Sequence, residues 1–184
     1  MTEQSVSGAV EPVVDGGREA PATAAPTPQI VFRAVDALRE YANNPRKHSE
    51  EQITQIAGSL VEFGWTVPVL EDAQGVVAGH GRIKAARLVY EQVGCTLEFP
   101  DGTPIPFGTV PVLPCDGWSE ERRRAYVIVD NQLPENAGWD DAKLQAEVQA
   151  LMSTEFDMGL LGFDDDVLTV LKGRARREAV APDQ

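Results

Sequence analysis

Two periods of apolar and polar positions run along this chain. Behind Ser49, residues Ile53, Ile56, Ala57 and Leu60 recur at helical spacing, and Ser49 with Gln52 fits a capping box. Gly64 stands where a C-cap glycine belongs. A second stripe, Ile83, Ala86, Val89, Tyr90 and Val93, predicts a helix over 82–93 that Gly94 stops. Between the stripes lie two short runs, VPVL (67–70) and VVAG (76–79), joined by the polar EDAQG, which reads as a hairpin. IVFRAVDAL (30–38) predicts a first strand and turn, and VPVL returns at 110–113 as another buried strand.

Helices follow. Ser119-Glu120-Glu121 caps one that runs to about Asp130, with Ala125, Tyr126 and Val129 inward. Asp140 caps another through Leu151, and a short one after Asp164 would face inward with Val167, Leu168 and Leu171. ANNPRKH (42–48) and the Pro- and Gly-rich 95–109 read as loops. The order of elements predicts an α+β (mixed α/β) core with a helical C-terminal extension. The chain thus divides into a leader over 1–29, a domain over 30–133, an extension over 134–172 and a charged tail over 173–184.

Composition narrows the classes. The leader's Ala, Pro, Gly and Thr bias offers too little apolar surface to offset ordering entropy, so it is expected to be disordered, and it carries no readable signal peptide. No apolar run exceeds strand length, which excludes a membrane-spanning helix. Cys95 and Cys115 have neither disulfide-framework nor zinc spacing and read as reduced thiols, implying a cytoplasmic location. A net charge of −13 argues against broad DNA binding, which requires cations to neutralise phosphates. Basic residues cluster only locally, at Arg82-Ile-Lys84-Ala-Ala-Arg87, at 122–124 and at Arg174-Ala-Arg176-Arg177.

Three stretches could carry chemistry. In Gly79-His80-Gly81-Arg82 the two glycines permit close backbone approach, and a helix starting at Arg82 would aim free N–H groups at the turn. Arg82 adds a planar fork suited to phosphate, so an anion site and a plain tight turn both fit. Asn44-Pro45-Arg46-Lys47-His48 reads as a second pocket wall or as an exposed loop. Asp130-Asn131-Gln132-Leu133-Pro134-Glu135-Asn136 could hold a metal or contact a base, or could merely end a helix. Two distant histidines argue against a zinc site, and no Gly-x-Ser-x-Gly elbow is present.

In order, NNPRKHSEEQITQIAGSLVEFGWTVPVL, VVAGHGRIKAARLV and VPVLPCDGWSEERRRAYVIVDNQLPENAGWD resemble the ParB-like N-terminal domain of the ParB/sulfiredoxin superfamily. The nearest likeness is to the version in phage and prophage proteins and ahead of DNA adenine or cytosine methyltransferases, over roughly residues 30–172. The resemblance implies a small ParB/sulfiredoxin-like sheet with packed helices and a pocket for nucleotide phosphates. Gly79, His80, Gly81, Arg82 and Lys84 would form its phosphate loop and helix, with Asn44, Arg46 and His48 opposite. Members include CTP- or ATP-hydrolysing DNA clamps, DNases, sulfinic-acid reductases and small-molecule kinases.

Departures from the family pattern prune that range. Gly81 stands where partition proteins usually carry a second arginine, and Leu133-Pro134 follows Asp130-Asn131 where Glu-Asn-x-x-Arg would end in arginine. Both speak against a CTP-switching clamp. His80 replaces the cysteine of sulfiredoxins. Neither a helix-turn-helix domain nor methyltransferase motifs are readable. The expectation is an accessory nucleotide- or DNA-binding module serving a partner in DNA modification or phage packaging, with a homodimer as the state its relatives often adopt. The alternative is a hydrolase, an NTPase or DNA nuclease using CTP or ATP with Mg²⁺. In that case His80, Arg82 and Asp130 would be catalytic, and Glu62 or Asp130 would orient a water or the metal.

Overall fold

The structure is a computed structural model that describes residues 28–164 and 167–168. Residues 1–27 of the expected 1–29 leader, Leu171, the cluster at Arg174 and the tail over 173–184 lie outside the described residues.

Strands β1 (Val31–Ala34), β2 (Val69–Asp72), β3 (Gly75–Ala78) and β4 (Thr109–Pro114) form one mixed sheet in the order β1-β4-β2-β3. β2 and β4 run parallel, Val69 opposite Val112, while β1–β4 and β2–β3 are antiparallel. The hairpin sits later than the apolar runs suggest. Val67 is exposed, and pairing starts at Val69 and continues through Glu71 and Asp72. The turn explains the shift: Asp72 Oδ1 accepts from the backbone N–H groups of Gln74 (2.8 Å) and Gly75 (3.1 Å). That side chain closes a tight connection which a longer polar loop would not need.

Alternation along β3 sends Val76 to one face of the sheet and Val77 to the other. On the first face lie α1 (Glu50–Phe63) and α2 (His80–Leu88), with α2 continued by a π-helical turn over Val89–Val93. Ala57, Leu60, Val69, Val76, Ile83, Ala86 and Val89 make this core, and Trp65, Leu97 and Ile105 close its end. The last two come from the segment read as a plain loop. Backbone bonds from Trp65 N–H to Glu98 O (2.7 Å) and from Ile105 N–H to Leu97 O (2.8 Å) fold it back under the core. Val93, expected on the inner stripe, is exposed, because the π-helical turn rotates the stripe away from the sheet.

On the second face a small cluster, Val77, Cys115 and Val127, is flanked by Tyr41, Leu70, Trp118 and Tyr126 beneath α3 (Glu120–Glu135). Here the sequence reading needs correction. Ala125 and Val129 are exposed, and the buried positions of α3 are Arg123 and Val127. Arg123 goes inward because Asp72 meets its Nε at 2.9 Å, the Val76 carbonyl accepts from Nη2 at 3.2 Å, and Tyr41 lies 4.4 Å from the guanidinium. The Nε–H is not aligned with the carboxylate, so this contact is an ion pair rather than a hydrogen bond. α3 also outruns its expected end at Asp130. It carries Pro134 inside its last turn and crosses the division placed at 133. Asn136 N–H bonds to Gln132 O and Leu133 O, both at 3.2 Å, which closes that turn.

Beyond it come α4 (Asp141–Met152), capped by Asp140 as expected, and a 3₁₀ turn over Met158–Leu161. The turn returns to α1, where a Cβ on Gly58 would stand 2.7 Å from Leu160 Cδ2. Both cysteines are free, and burial pushes the Cys115 thiol up to about 11, which keeps it protonated and unreactive. Among the described residues, no helix is long and apolar enough to cross a membrane.

Candidate phosphate-binding site

The site forms where β3 ends and α2 begins. Gly79 takes φ +99°, a left-handed conformation, and a Cβ there would press on Val69 Cγ2 at 3.2 Å. The helix starts two residues earlier than expected, with His80 and Gly81 already inside it and Gly79 as its N-cap. No side chain caps this end, so the first amides of α2 point into the turn without a side-chain acceptor.

The two glycines serve different purposes. Gly81 has no positive φ, and its need is space. A Cβ would lie 3.0 Å from both His48 Cε1 and Ile56 Cδ1, so glycine lets α1 and the loop before it close over α2.

A cavity of about 180 Å³ opens in front of this helix start. Asn44, Arg46 and His48 wall one side, Gly79 through Arg82 the floor, and Asp130 and Asn131 from α3 the third side. Three stretches separated by tens of residues therefore converge on one space. Arg82 Nε is shut off from solvent with no hydrogen-bond partner. Burial pulls the Arg82 guanidinium below its ordinary value, against the upward pull of Asp130 and Tyr126. A half-buried cation with an unpaired buried donor beside uncapped helix amides has the electrostatics of an anion cradle. Burial first, then the charge of Asp130 and a hydrogen bond to it, push the Tyr126 phenol up.

His80 is buried, and Tyr41 N–H donates to its Nε2 at 3.3 Å. Burial lowers its pKa, with Glu40 opposing and Lys84, His48 and Arg123 adding to the fall. A neutral ring whose Nε2 lone pair is taken anchors the 41–48 loop to α2. His48 contacts Gln52 Oε1 through Nδ1 at 2.9 Å, so Gln52 reaches His48 rather than completing the capping box, while Ser49 Oγ accepts from Gln52 N–H. Asn44 Oδ1 accepts from Arg46 N–H (3.1 Å) and fixes the loop backbone.

Two expected site residues lie elsewhere. Lys84 is two positions past Arg82, hence on another side of α2, and pairs with Glu40 at 3.5 Å. Glu62, near the C-terminal end of α1, lines other cavities and is not brought to Asp130. Among the described residues, no three His, Cys, Asp or Glu side chains gather as metal ligands. Asn131 belongs to the cavity wall. Its Nδ2 donates back to Val127 O at 2.8 Å, and it shares a face with Arg123 and Val127, a spacing of four that is legible in the sequence.

No protein-family model matches the chain. Over 97 residues it is 36% identical to the ParB-like nuclease domain-containing protein YnaK of Escherichia coli (strain K12), a match spanning 52% of this chain and 93% of that protein. Its fold is similar to that of the C-terminally truncated chromosome-partitioning protein ParB from Caulobacter crescentus, solved in complex with CTP-γ-S. The TM-score is 0.53 at 19% identity, over 84% of this chain and 94% of that one. At that identity the likeness is one of fold.

Proposed function

Because the chain belongs to the family of ParB-like domains, we propose that it is a phosphate-binding module of DNA metabolism that holds a nucleoside triphosphate or a nucleic-acid phosphate at the start of α2. One observation carries the reading: Arg82 Nε is buried and unpaired beside uncapped helix amides, in a cavity that Asn44, Arg46 and Asn131 also line. The cavity, about 180 Å³, is below the usual range of roughly 300–1,000 Å³ for whole small-molecule ligands, which suits the phosphate part of a nucleotide. A second cavity of about 260 Å³, sharing Arg46 and Asn131, adjoins it and offers room for the rest.

Holding is favoured over cutting. His80 Nε2 is engaged by Tyr41 N–H, so its lone pair is not free to take a proton from a water. In this reading the domain serves in trans, with a DNA-modification or phage-packaging partner and a cytoplasmic site of action. The hydrolase reading rests on Asp130, a carboxylate at the cavity edge beside Arg82 that could orient a water.

Calorimetry with CTP, ATP and GTP, with and without Mg²⁺, tests the site. Arg82→Ala is expected to weaken phosphate binding roughly 10- to 100-fold, the range of a lost charge-assisted hydrogen bond. Wild-type protein that binds none of the three overturns the proposal. Nucleotide turnover or nicking of supercoiled plasmid, abolished by Asp130→Asn, would move the reading to the hydrolase.

A further inference from the structure

Arg46 is the cation that the 44–48 loop brings to the pocket wall. Its backbone is held by Asn44 Oδ1, so the side chain can swing while the loop stays in place. That side chain does not lie over the phosphate cavity alone. It lines the adjoining cavity too, and there Nη1 pairs with Glu135 Oε1 in the last turn of α3. The two side chains are 37% and 50% exposed, so the pair is solvated and costs little to break. Glu135 can stand in water alone. Arg46, once released, has a second anion site within the same wall.

Resting on the phosphate-binding reading above, we propose that Glu135 is an internal competitor of the ligand: its carboxylate holds Arg46, and a phosphate must displace it for Arg46 to close the pocket. Glu135 follows Pro134, and Gln132 and Asn136 in the same turn are occupied with each other at 3.0 Å, leaving Glu135 as the group that reaches across. The exchange is one of partners for a single guanidinium. Occupying the pocket therefore also unties the end of α3 from the 44–48 loop, so ligand binding and the attachment of that turn are linked.

The test is a double-mutant cycle on the full chain. CTP and inorganic tripolyphosphate are titrated calorimetrically into wild type, Glu135→Gln, Arg46→Gln and the double variant. Glu135→Gln is expected to bind both probes roughly two- to fivefold more tightly, the fold-change of an exposed ion pair, and to give no gain in the Arg46→Gln background. If wild type binds and Glu135→Gln binds no better, the competition is absent and the inference fails while the pocket stands. A gain that persists without Arg46 shows Glu135 acting only through its general field, which also overturns the inference. If folded wild type and Glu135→Gln both bind neither probe, the phosphate-binding reading fails first and takes this inference with it.

Discussion

The two faces of the sheet are built on different physics. Beneath α1 and α2 lies a continuous apolar core in which Val69, Val76, Ile83 and Val89 are fully buried. Beneath α3 lie three buried residues and one buried arginine, tied to Asp72 and stacked on Tyr41. The first face is held by area, the second by a few directional contacts. The candidate site spans the gap: its helix start belongs to the rigid face, while Asp130 and Asn131 ride on the lightly held one. A wall on weakly anchored helix can adjust to a ligand, whereas a floor set in the core cannot. The uncapped amides thus sit on the rigid α2 and the adjustable polar groups on α3.

The largest effect should come from the apolar face. Ile83→Ala leaves a cavity in a fully buried site and is expected to cost about 2–5 kcal/mol of global stability in urea unfolding. Val127→Ala on the other face should cost roughly 1–2 kcal/mol. Equal losses would erase the contrast between the faces.

Next in size is the buried ion pair. Arg123→Met strands Asp72, whose side chain is 9% exposed, and is expected to cost about 3 kcal/mol. Asp72→Asn added to it should recover much of that, because the amide oxygen can still accept from Gln74 and Gly75. Hydrogen exchange sharpens the comparison: amides of α3 should lose protection while those of α1 and α2 keep theirs. Uniform loss across all three helices would show that the faces unfold as one.

The same contrast decides what could be read from the sequence. The apolar face announced itself through periodicity, since area burial demands apolar residues at every contact, and α1 and α2 followed from Ile53 to Leu60 and from Ile83 to Tyr90. The inner side of α3 could not announce itself that way. Its key residue is an arginine inside Arg122-Arg123-Arg124, and only its tertiary partner, Asp72, tells it from its neighbours. Leu97 and Ile105 were hidden by the Pro- and Gly-rich stretch around them, because a loop that plugs a core has no period. At the site, Gly79 and Arg82 were legible because backbone conformation and charge are local properties. That Lys84 and Glu62 face other spaces, and that Arg46 is held by Glu135, depends on which way helices turn once packed.

The smallest expected effect probes the joint between the faces. His80 sits in the first turn of α2 and accepts from Tyr41 N–H, and Tyr41 in turn lies under Arg123. His80→Gln keeps an acceptor and should cost no more than about 1 kcal/mol at pH 8, the scale of one neutral hydrogen bond. The sharper readout is pH. Burial lowers the folded pKa of His80 below its ordinary 6.5, so the unfolded chain takes up the proton first as pH falls. Stability contributed by the neutral ring is fully present above that unfolded value. It declines as pH drops through 6.5 towards the lowered folded value, because protonation turns Nε2 from the acceptor of Tyr41 N–H into a competing donor. Melting temperature should therefore fall more steeply between pH 7 and pH 5 in wild type than in His80→Gln. Parallel curves would show that burial does not hold the imidazole neutral, and that the two faces meet at the site through packing alone.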